Sequence, residues 1–357
     1  MKKLRVGFIG TGAITDLHYL GYKNSPLVEL NAICDTDPEL LGKRSTEWKV
    51  KKSYGHYREL LSDPEVDAVE VITPHHLHAE IGKAALEAGK HVSIQKPMAV
   101  NVTDCDDLIR TAERSDRLLR VFENFRYYPP IVRAKELLDD GAIGEPLSIR
   151  IKVVQGTGGE GWEVPYRRWA WRFDPIKGGD GRVILDYGYH HFSLALWFMG
   201  EIEKVKAWIT HRPIQNGWIL DSPAVAMWKY RNAEKYGNYE ALTSDDLFVP
   251  SKYGRPEDEW IELSGSRGFI WINRCTSHLI DRPPLVMYRD GKTTEFDDLD
   301  ADWASSFIAG VADFAIAIKD GRTSMLTGEE GKAVLQFCRA LQLSAKEGRE
   351  VNPEEII

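Results

Sequence analysis

Three side chains in this sequence have the types and the spacing for proton transfer at a substrate oxygen. Lys96 follows an apolar run and precedes Pro97, so its ammonium can hydrogen-bond an oxygen at the edge of a sheet. Asp186 and His190 are four residues apart, which places them on one face of a helix. A histidine can take an alcohol proton near neutral pH while a carboxylate orients its ring. The structural alternative is a loop-capping lysine and a helix-capping aspartate with a structural histidine.

A glycine-rich turn near the N-terminus has the pattern of a dinucleotide site. The sequence reads G-x-G-x-x-T from Gly10, and the second glycine, Gly12, allows a pyrophosphate to approach. The first helical turn, at Ala13 and Ile14, offers N–H groups to the phosphates. Asp35 follows the end of this glycine motif by about 20 residues. This is the usual position of a carboxylate that binds the ribose hydroxyls and repels a 2′-phosphate. The expected cofactor is therefore NAD rather than NADP, unless Asp35 only begins a turn.

Further polar residues follow the fourth apolar run, at the edge where ligands of open α/β sheets bind. Pro74 fixes the path of this loop, and neighbouring polar groups can face the cofactor. The loop residues that we expect there are Thr73, Pro74, His75 and His78. A metal site is not expected, because only Glu80 stands at a helical spacing from His76 and two such ligands do not make a site.

Two segments in the second half of the chain are candidates for ligand or partner contacts. Aromatic faces pack on the C–H faces of sugars, and arginine forks bind hydroxyls or carboxylates. In the segment Gly161–Phe173 the expected substrate contacts are Trp162, Tyr166, Arg167 and Arg172. The alternative is that these rings belong to the core. The stretch Asn232–Glu259 is expected to be irregular and to form either a lid or an oligomer contact.

The elements that must position these residues follow two patterns. Six apolar runs alternate with helical patterns over the first 120 residues, which predicts an α/β Rossmann domain with a doubly wound parallel sheet. Beyond Pro129-Pro130, apolar residues recur with a period of two, which predicts an α+β domain with a large, open, mainly antiparallel sheet. We expect an NAD-binding domain at 1–123 and a substrate-binding and oligomerisation domain at 124–357.

Composition narrows the class of protein. With 43% hydrophobic and 28% charged residues among 357, the chain is expected to fold, and a net charge of −8 gives no reason to bind nucleic acid or anionic membrane. No run of about 18 apolar residues is present, and the charged start before Gly10 is expected to be a strand rather than a signal peptide. Four widely spaced cysteines favour a reducing cytoplasm. The uncovered face of the second sheet favours a homo-oligomer, a dimer or a tetramer.

Taken in order, these motifs resemble the Gfo/Idh/MocA family of oxidoreductases over essentially the whole chain. The shared motifs are Gly10-x-Gly12, Thr73-Pro74, Ala88-Gly89-Lys90-His91-Val92, Lys96-Pro97, Asn124-x-Arg126, Asp186-x-Gly188-x-His190, Gly265-Ser266-Arg267-Gly268 and Asp320-Gly321-Arg322. The resemblance implies an NAD(P)-dependent dehydrogenase that acts on CH–OH groups of a sugar, polyol or derivative. It implies that Lys96 is the catalytic lysine, His190 the acid/base histidine and Asp186 the residue beside it. It also implies cofactor contacts by Gln95, Lys96 and Asn124, and substrate contacts by Lys96, Arg126, Asp186 and His190.

Two positions depart from the family pattern. Gln95 replaces the usual glutamate, and although an amide can bond a ribose hydroxyl, it removes a charge that would favour the ammonium form of Lys96. Ser193 stands where the family often has aspartate. Two other functions stay open: an NAD-dependent glycosidase that oxidises its substrate only transiently, and a non-catalytic NAD-binding sensor, which should lack the lysine and the histidine.

Overall fold

The structure, a computed structural model, describes residues 3–158, 166–251, 256–273 and 279–357. The chain divides into two compact units. The first unit comprises Met1–Asn124, Ala170–Asp180 and Phe307–Leu335, and the second comprises Phe125–Trp169, Gly181–Ser306 and Gln336–Ile357. The assignment of cofactor binding to 1–123 and of substrate binding and oligomerisation to 124–357 stays a prediction.

The first unit contains a six-stranded parallel sheet, as the sequence predicts. Its strands are β1 (Leu4–Ile9), β2 (Val28–Cys34), β3 (Lys52–Tyr54), β4 (Ala68–Val71), β5 (His91–Gln95) and β6 (Leu119–Phe122). They are hydrogen-bonded in the order β3-β2-β1-β4-β5-β6. This order reverses between β1 and β4, and ligands of doubly wound sheets bind beyond the carboxyl ends of the strands at such a reversal.

Helices connect these strands, and capping residues set several of their ends. The helices are α1 (Thr15–Tyr22), α2 (Pro38–Trp48), α3 (Tyr57–Leu61), α4 (His78–Glu87) and α5 (Val102–Ser115). The Asp37 carboxylate accepts hydrogen bonds from the N–H groups of Glu39 and Leu40 at the start of α2, and Asn101 caps α5 through the N–H of Asp104. Such caps satisfy N–H donors that have no partner inside the helix, which fixes where both helices begin.

The core of the first unit depends on residues from near the end of the chain. Val6, Phe8 and Ile33 from the sheet are buried together with Val311 and Phe314. The last two lie on α10 (Trp303–Asp320). A segment far from residues 1–124 in sequence therefore completes the packing of this unit.

The second unit contains an eight-stranded sheet. Its strands are β7 (Pro146–Thr157), β8 (Ile202–Pro213), β9 (Ile219–Tyr230), β10 (Tyr236–Phe248), β11 (Glu257–Gly265), β12 (Gly268–Ile272), β13 (Leu285–Arg289) and β14 (Lys292–Phe296). The order is β14-β13-β12-β11-β7-β10-β9-β8, and every neighbouring pair is antiparallel except β7 and β10. This mainly antiparallel sheet confirms the predicted α+β architecture.

The remaining helices follow or interrupt the strands of the second sheet. They are α6 (Pro129–Asp139), α7 (Tyr166–Trp169), α8 (Pro175–Gly178), a π-helix (Arg182–Tyr187), α9 (Gly188–Met199), α10 and α11 (Gly328–Glu347). Short 3-10 turns occupy His75–Leu77, Asn124–Tyr127, Ala170–Phe173, Gln215–Gly217 and Pro353–Glu355. Among the described residues, no helix combines the length and the apolar character that crossing a membrane requires.

The expectation that Asn232–Glu259 is irregular is wrong. This stretch contains all of β10 and the start of β11, and β10 is an interior strand between β7 and β9. Its buried positions include Gly237, where a Cβ would lie 2.0 Å from the Trp228 ring. Glycine is depleted in strands unless another group approaches closely. Because glycine rather than an apolar side chain occupies this buried position, the sequence lacks part of the alternation that predicts a strand.

Candidate active site

The two glycines of the N-terminal turn serve different purposes. Gly10 has a φ of +91°, and a Cβ at this position would lie 2.4 Å from the carbonyl oxygen of Ile72. The fold itself therefore requires glycine here. A Cβ on Gly12 would meet no heavy atom of the described residues within 4 Å. Open space beside the start of α1, at a position that packing does not restrict to glycine, fits the approach of a pyrophosphate.

Asp35 lies directly beyond β2 and joins the second strand to the glycine turn. Its Oδ2 accepts hydrogen bonds from the N–H of Thr11 at 2.7 Å and from the Thr11 hydroxyl at 2.8 Å, and its Oδ1 accepts from the N–H of Asp37 at 3.0 Å. The alternative that Asp35 begins a turn is therefore true. The carboxylate is half-buried, and its Oδ1 has a second lone pair that a ribose hydroxyl can use, whereas Oδ2 already accepts two hydrogen bonds.

The loop after β4 carries polar atoms that lack partners. The Thr73 hydroxyl and Nδ1 of His76 are buried and have no hydrogen-bond partner within the described part of the chain. Buried polar groups are normally paired, so unsatisfied atoms here fit a bound polar ligand. Together with Gly12 and Asp35, this loop suits a nicotinamide dinucleotide.

His75 and His78 from the same loop bind backbone groups. Nδ1 of His75 lies 2.9 Å from the carbonyl oxygen of Gly178. The ring nitrogens of His78 lie 2.7 Å and 2.9 Å from the carbonyl oxygens of Pro97 and Thr73, and its side chain is fully buried. Burial lowers the pKa of His78 to about 4, although both carbonyls favour the charged ring. This histidine therefore joins the loops that follow β4 and β5.

Gln95 and Lys96 lie where β5 leaves the sheet. Oε1 of Gln95 accepts a hydrogen bond from the backbone N–H of Lys96 at 2.8 Å, and Nε2 of Gln95 lies 2.9 Å from Nε2 of His18. Lys96 is half-buried. The lysine therefore lies at the ligand edge of the first sheet, and its backbone is held by the preceding side chain.

In the second unit, Asp186 and His190 stand on either side of a change in helix type. Asp186 belongs to the π-helix, where its N–H bonds the carbonyl oxygen of Gly181 five residues earlier, and His190 belongs to α9. Single π turns are frequent at functional sites. The predicted regular helix over both residues is therefore replaced by a wider turn before His190.

A carboxylate from a distant strand holds the start of this π-helix. Asp221 on β9 accepts hydrogen bonds from the N–H groups of Val183 and Ile184 at 2.7 Å and 2.8 Å. Burial raises the pKa of Asp221 despite these bonds. The first N–H groups of a helix need acceptors, and here the sheet provides them.

His190 and Asp186 are both buried. The His190 ring stacks on Phe125 with centroids 4.4 Å apart and an interplanar angle of 12°. Oδ2 of Asp186 lies 3.4 Å from the guanidinium of Arg182, which also lies 3.7 Å from Glu257. The stacking fixes the plane of the imidazole, while the ion pair favours the charged form of Asp186.

Arg126 and Arg172, which are also predicted to contact the substrate, each interact with a neighbouring side chain. Arg126 is 1% exposed, and it donates to the hydroxyl of Ser193 at 2.9 Å and to the Ser193 carbonyl at 3.2 Å. The serine that departs from the family pattern thus accepts hydrogen bonds from this arginine. The Arg172 guanidinium lies over the Trp171 ring at 4.4 Å.

Three predicted contacts cannot be placed. Trp162 lies outside the described residues. The backbones of Tyr166 and Arg167 lie in α7, but their side chains are outside the description. Their proposed contacts with a substrate stay predictions. The proposed contact of Asn124 with the cofactor also stays a prediction, and this residue is buried at the end of the first unit.

Several residues that support the site were not anticipated from the sequence. His18, Glu70 and Asp221 are buried polar groups, and Phe125 supports the His190 ring. A usable signal existed for Glu70, because a carboxylate inside the apolar run Ala68–Val71 is costly unless it is paired. In the described ranges, no cluster of three or more histidine, cysteine, aspartate or glutamate side chains is arranged to hold a metal ion.

Comparison with known proteins agrees with this arrangement. Residues 4–123 match the oxidoreductase family GFO_IDH_MocA with an NAD-binding Rossmann fold, and residues 131–271 match the GFO/IDH/MocA C-terminal domain. The chain is 32% identical to a levoglucosan dehydrogenase of Pseudarthrobacter phenanthrenivorans, over 76% of this chain and 74% of that protein. It is 29% identical to a myo-inositol 2-dehydrogenase of Thermotoga maritima, over 99% of this chain and 100% of that protein.

A solved structure shows the same fold. Levoglucosan dehydrogenase in complex with NADH and levoglucosan superposes with a TM-score of 0.82 at 24% identity, covering 98% of this chain and 99% of that one. The matches to both family domains span the glycine turn, Asp35, Lys96 and His190. The chain therefore belongs to the Gfo/Idh/MocA family of NAD-dependent oxidoreductases.

Proposed function

We propose that this protein is an NAD-dependent dehydrogenase that oxidises a hydroxyl of a sugar, a polyol or a glycoside. The observation that carries the proposal is the ligand edge of the first sheet, where the space beside Gly12, the Asp35 carboxylate and Lys96 follow β1, β2 and β5. Relatives named for levoglucosan and myo-inositol support the substrate class.

The cofactor would be held by residues of the first unit. Asp35 would bind the ribose hydroxyls, and its negative charge disfavours the 2′-phosphate of NADP. The residues proposed to contact the cofactor are Gly10, Gly12, Ala13, Ile14, Asp35, Thr73, Pro74, His75, His78, Gln95, Lys96 and Asn124. When bound, NAD supplies the acceptor for the hydride that leaves the substrate carbon.

Side chains of this protein would remove the proton of the substrate hydroxyl. Lys96 donates a hydrogen bond to the substrate oxygen and stabilises the negative charge that develops as the proton leaves. Nε2 or Nδ1 of His190 accepts that proton, and Asp186 stabilises the resulting imidazolium. The substrate contacts that we propose are Lys96, Arg126, Trp162, Tyr166, Arg167, Arg172, Asp186 and His190.

A screen of sugars, polyols and glycosides with NAD tests the proposal. We expect NADH absorbance to rise in proportion to a product two mass units lighter than its substrate, because the oxidation is net. Incubation without substrate is the blank, and NADP in place of NAD measures the effect of Asp35.

The two alternative functions give different results in the same screen. An NAD-dependent glycosidase would release a free sugar with no net NADH. A binding protein would bind NADH, measured by its fluorescence, and convert nothing. Either result, obtained with a substrate that the protein demonstrably binds, would contradict the dehydrogenase.

The open face of the second sheet supports a homo-oligomer. Trp208, Val225, Met227 and Leu242 lie on the adjacent strands β8, β9 and β10 and are 58%, 44%, 53% and 41% exposed. Trp208 pairs directly with Val225, and Met227 follows two residues later on the same face of β9, so exposed apolar side chains cluster on this face. Such a patch marks an interface, and we propose that a second copy of this chain covers it, in a dimer or a tetramer.

Charge on this patch should change the mass of the particle in solution. We expect Met227→Glu to convert the oligomer into a monomer, because a carboxylate would be buried without a partner. Size-exclusion chromatography with light scattering measures the mass. Ile176→Glu is the matched control, since Ile176 is 78% exposed in the other unit and should leave the mass unchanged. An unchanged mass for Met227→Glu would argue against this interface.

We also propose a cytoplasmic location. Burial raises the pKa of the Cys34 and Cys105 thiols to about 12, so neither is a reactive thiolate at neutral pH. Widely spaced, inert thiols suit a reducing compartment.

A further inference from the structure

A buried polar chain runs from the interior of the first unit to the backbone of Lys96. His18 on α1 and Glu70 on β4 are each 1% exposed, and Nδ1 of His18 is hydrogen-bonded to Oε2 of Glu70. The Tyr22 hydroxyl donates to Oε1 of the same carboxylate at 2.7 Å. Nε2 of His18 then meets the amide of Gln95, whose other atom bonds the N–H of Lys96.

The direction of each of these hydrogen bonds follows from the group at the Lys96 end of the network. The backbone N–H of Lys96 can only donate, so the atom of Gln95 that faces it is the oxygen. The amide nitrogen of Gln95 therefore faces His18, and an amide nitrogen can only donate. Nε2 of His18 must accept, which leaves the single ring proton on Nδ1, where it is donated to Glu70.

We propose that Gln95 is a positioning residue that keeps a proton on Nδ1 of His18 and leaves Nε2 as an acceptor, and that it fixes the backbone at Lys96. The inference rests on the proposed function, because Lys96 is the catalytic lysine only in that proposal. A glutamate at position 95 would place an acceptor against Nε2 of His18, and the ring would then need a second proton. The departure from the family's glutamate is therefore tied to the charge of a histidine on another element.

Charged, titratable and aromatic groups surround His18. The titratable and charged groups around it are Glu70 on β4, Tyr22 on α1 and Arg120 on β6, and the Arg120 guanidinium lies 3.9 Å from Asp313 on α10. The other packed groups are the rings of Phe8, Phe122 and Phe307. Both oxygens of Glu70 accept hydrogen bonds, one from Nδ1 of His18 and one from the Tyr22 hydroxyl, and the Arg120 guanidinium provides a positive charge nearby. Glu70 is thus a carboxylate that accepts from Nδ1.

Nitrogen NMR of histidine-labelled protein tests the proton positions without any turnover. In the parent protein at neutral pH we expect His18 to carry a proton on Nδ1 and none on Nε2. In Gln95→Glu the same ring should carry two protons at neutral pH and lose one as the pH rises. Gln336→Glu is the control, because the Gln336 amide donates to the carbonyl of Ile356 and should change no histidine.

In Gln95→Glu the His18 ring would lie between two carboxylates, which favours its doubly protonated form. The variant should therefore be stabilised at acidic pH and lose that stability as the ring gives up its second proton at higher pH. The kcat of Gln95→Glu should acquire an alkaline decline that the parent lacks. Gln95→Met, which removes the acceptor for the Lys96 N–H, should lower kcat about tenfold with little change in KM, the cost of roughly one hydrogen bond.

Each outcome decides the proposal. A doubly protonated or Nε2-protonated His18 in the parent, or unchanged histidine signals in Gln95→Glu, would overturn it. Failure of the proposed function looks different, because turnover would then survive the loss of Lys96 while the histidine signals stay as described.

Discussion

Replacing His190 with alanine should lower kcat on the true substrate by a factor of about 10²–10⁴, the usual contribution of a positioned general base. Lys96→Ala should lower kcat by about 10²–10³, as expected for the loss of one donor to a developing oxyanion. The two losses should not multiply in the double variant, because both residues act on one proton transfer. Initial rates of NADH formation at saturating substrate measure all three variants.

Stacking of His190 on Phe125 means that the alanine variant also loses packing. Unfolding temperature and NADH affinity must therefore accompany the rates, and we expect the affinity to change little. His211→Ala, at an exposed histidine of β8, is the control and should keep the parent rate. Near-normal turnover in either active-site variant, with the fold intact, would rule out the proposed roles.

Valine at position 12 should weaken NAD binding by about tenfold to a hundredfold, because its side chain would occupy the space left beside the start of α1. Loss of one charge-assisted hydrogen bond costs about 1.5–3 kcal/mol, which corresponds to that range. The unfolding temperature of the protein without cofactor should not fall, since a Cβ there meets no described atom within 4 Å. Titration calorimetry with NAD measures the affinity.

Gly10→Ala provides the contrast within the same turn. Its φ of +91° and the 2.4 Å approach to the Ile72 carbonyl predict a loss of about 1–3 kcal/mol in the free energy of unfolding, with or without NAD. If Gly12→Val destabilised the protein as much as Gly10→Ala and left NAD affinity unchanged, the space beside Gly12 would not be a cofactor site.

The parts of the fold that the sequence predicts well are those with local causes. The bounds of α2 and α5 follow from capping by Asp37 and Asn101 and from apolar periodicity. Most side chains of β14 are exposed, which removes the alternation that marks a strand. β10 was missed because two of its three buried positions are the small residues Gly237 and Ala241, and Trp228 from β9 supplies the bulk beside Gly237. The sequence of β10 alone therefore does not predict the strand, because the bulky residue belongs to β9.

The same distinction applies to the candidate site. The glycine turn, Asp35 and Lys96 could be proposed because each stands near the end of a predicted strand, and His190 because it lies four residues after Asp186. The pairing of His18 with Glu70 joins residues 52 positions apart, so only the fold brings them together. The Asp221 carboxylate acts across 38 positions in the same way. Sequence spacing predicts where a functional group lies along an element, but not which distant group supports it.

The contribution of α10 to the first unit has a consequence for how this protein is made. Val311 and Phe314 leave the ribosome long after residues 1–124. The apolar surface that they cover therefore stays exposed on the nascent N-terminal part until α10 is synthesised. Gly21 on α1 packs so tightly on Val311 that a Cβ at Gly21 would lie 2.6 Å from it, so this contact forms only after α10 has been synthesised. Stopping translation before residue 307 should therefore yield a chain that chaperones retain, and the NAD-binding half is not a module that can be cut out at residue 124.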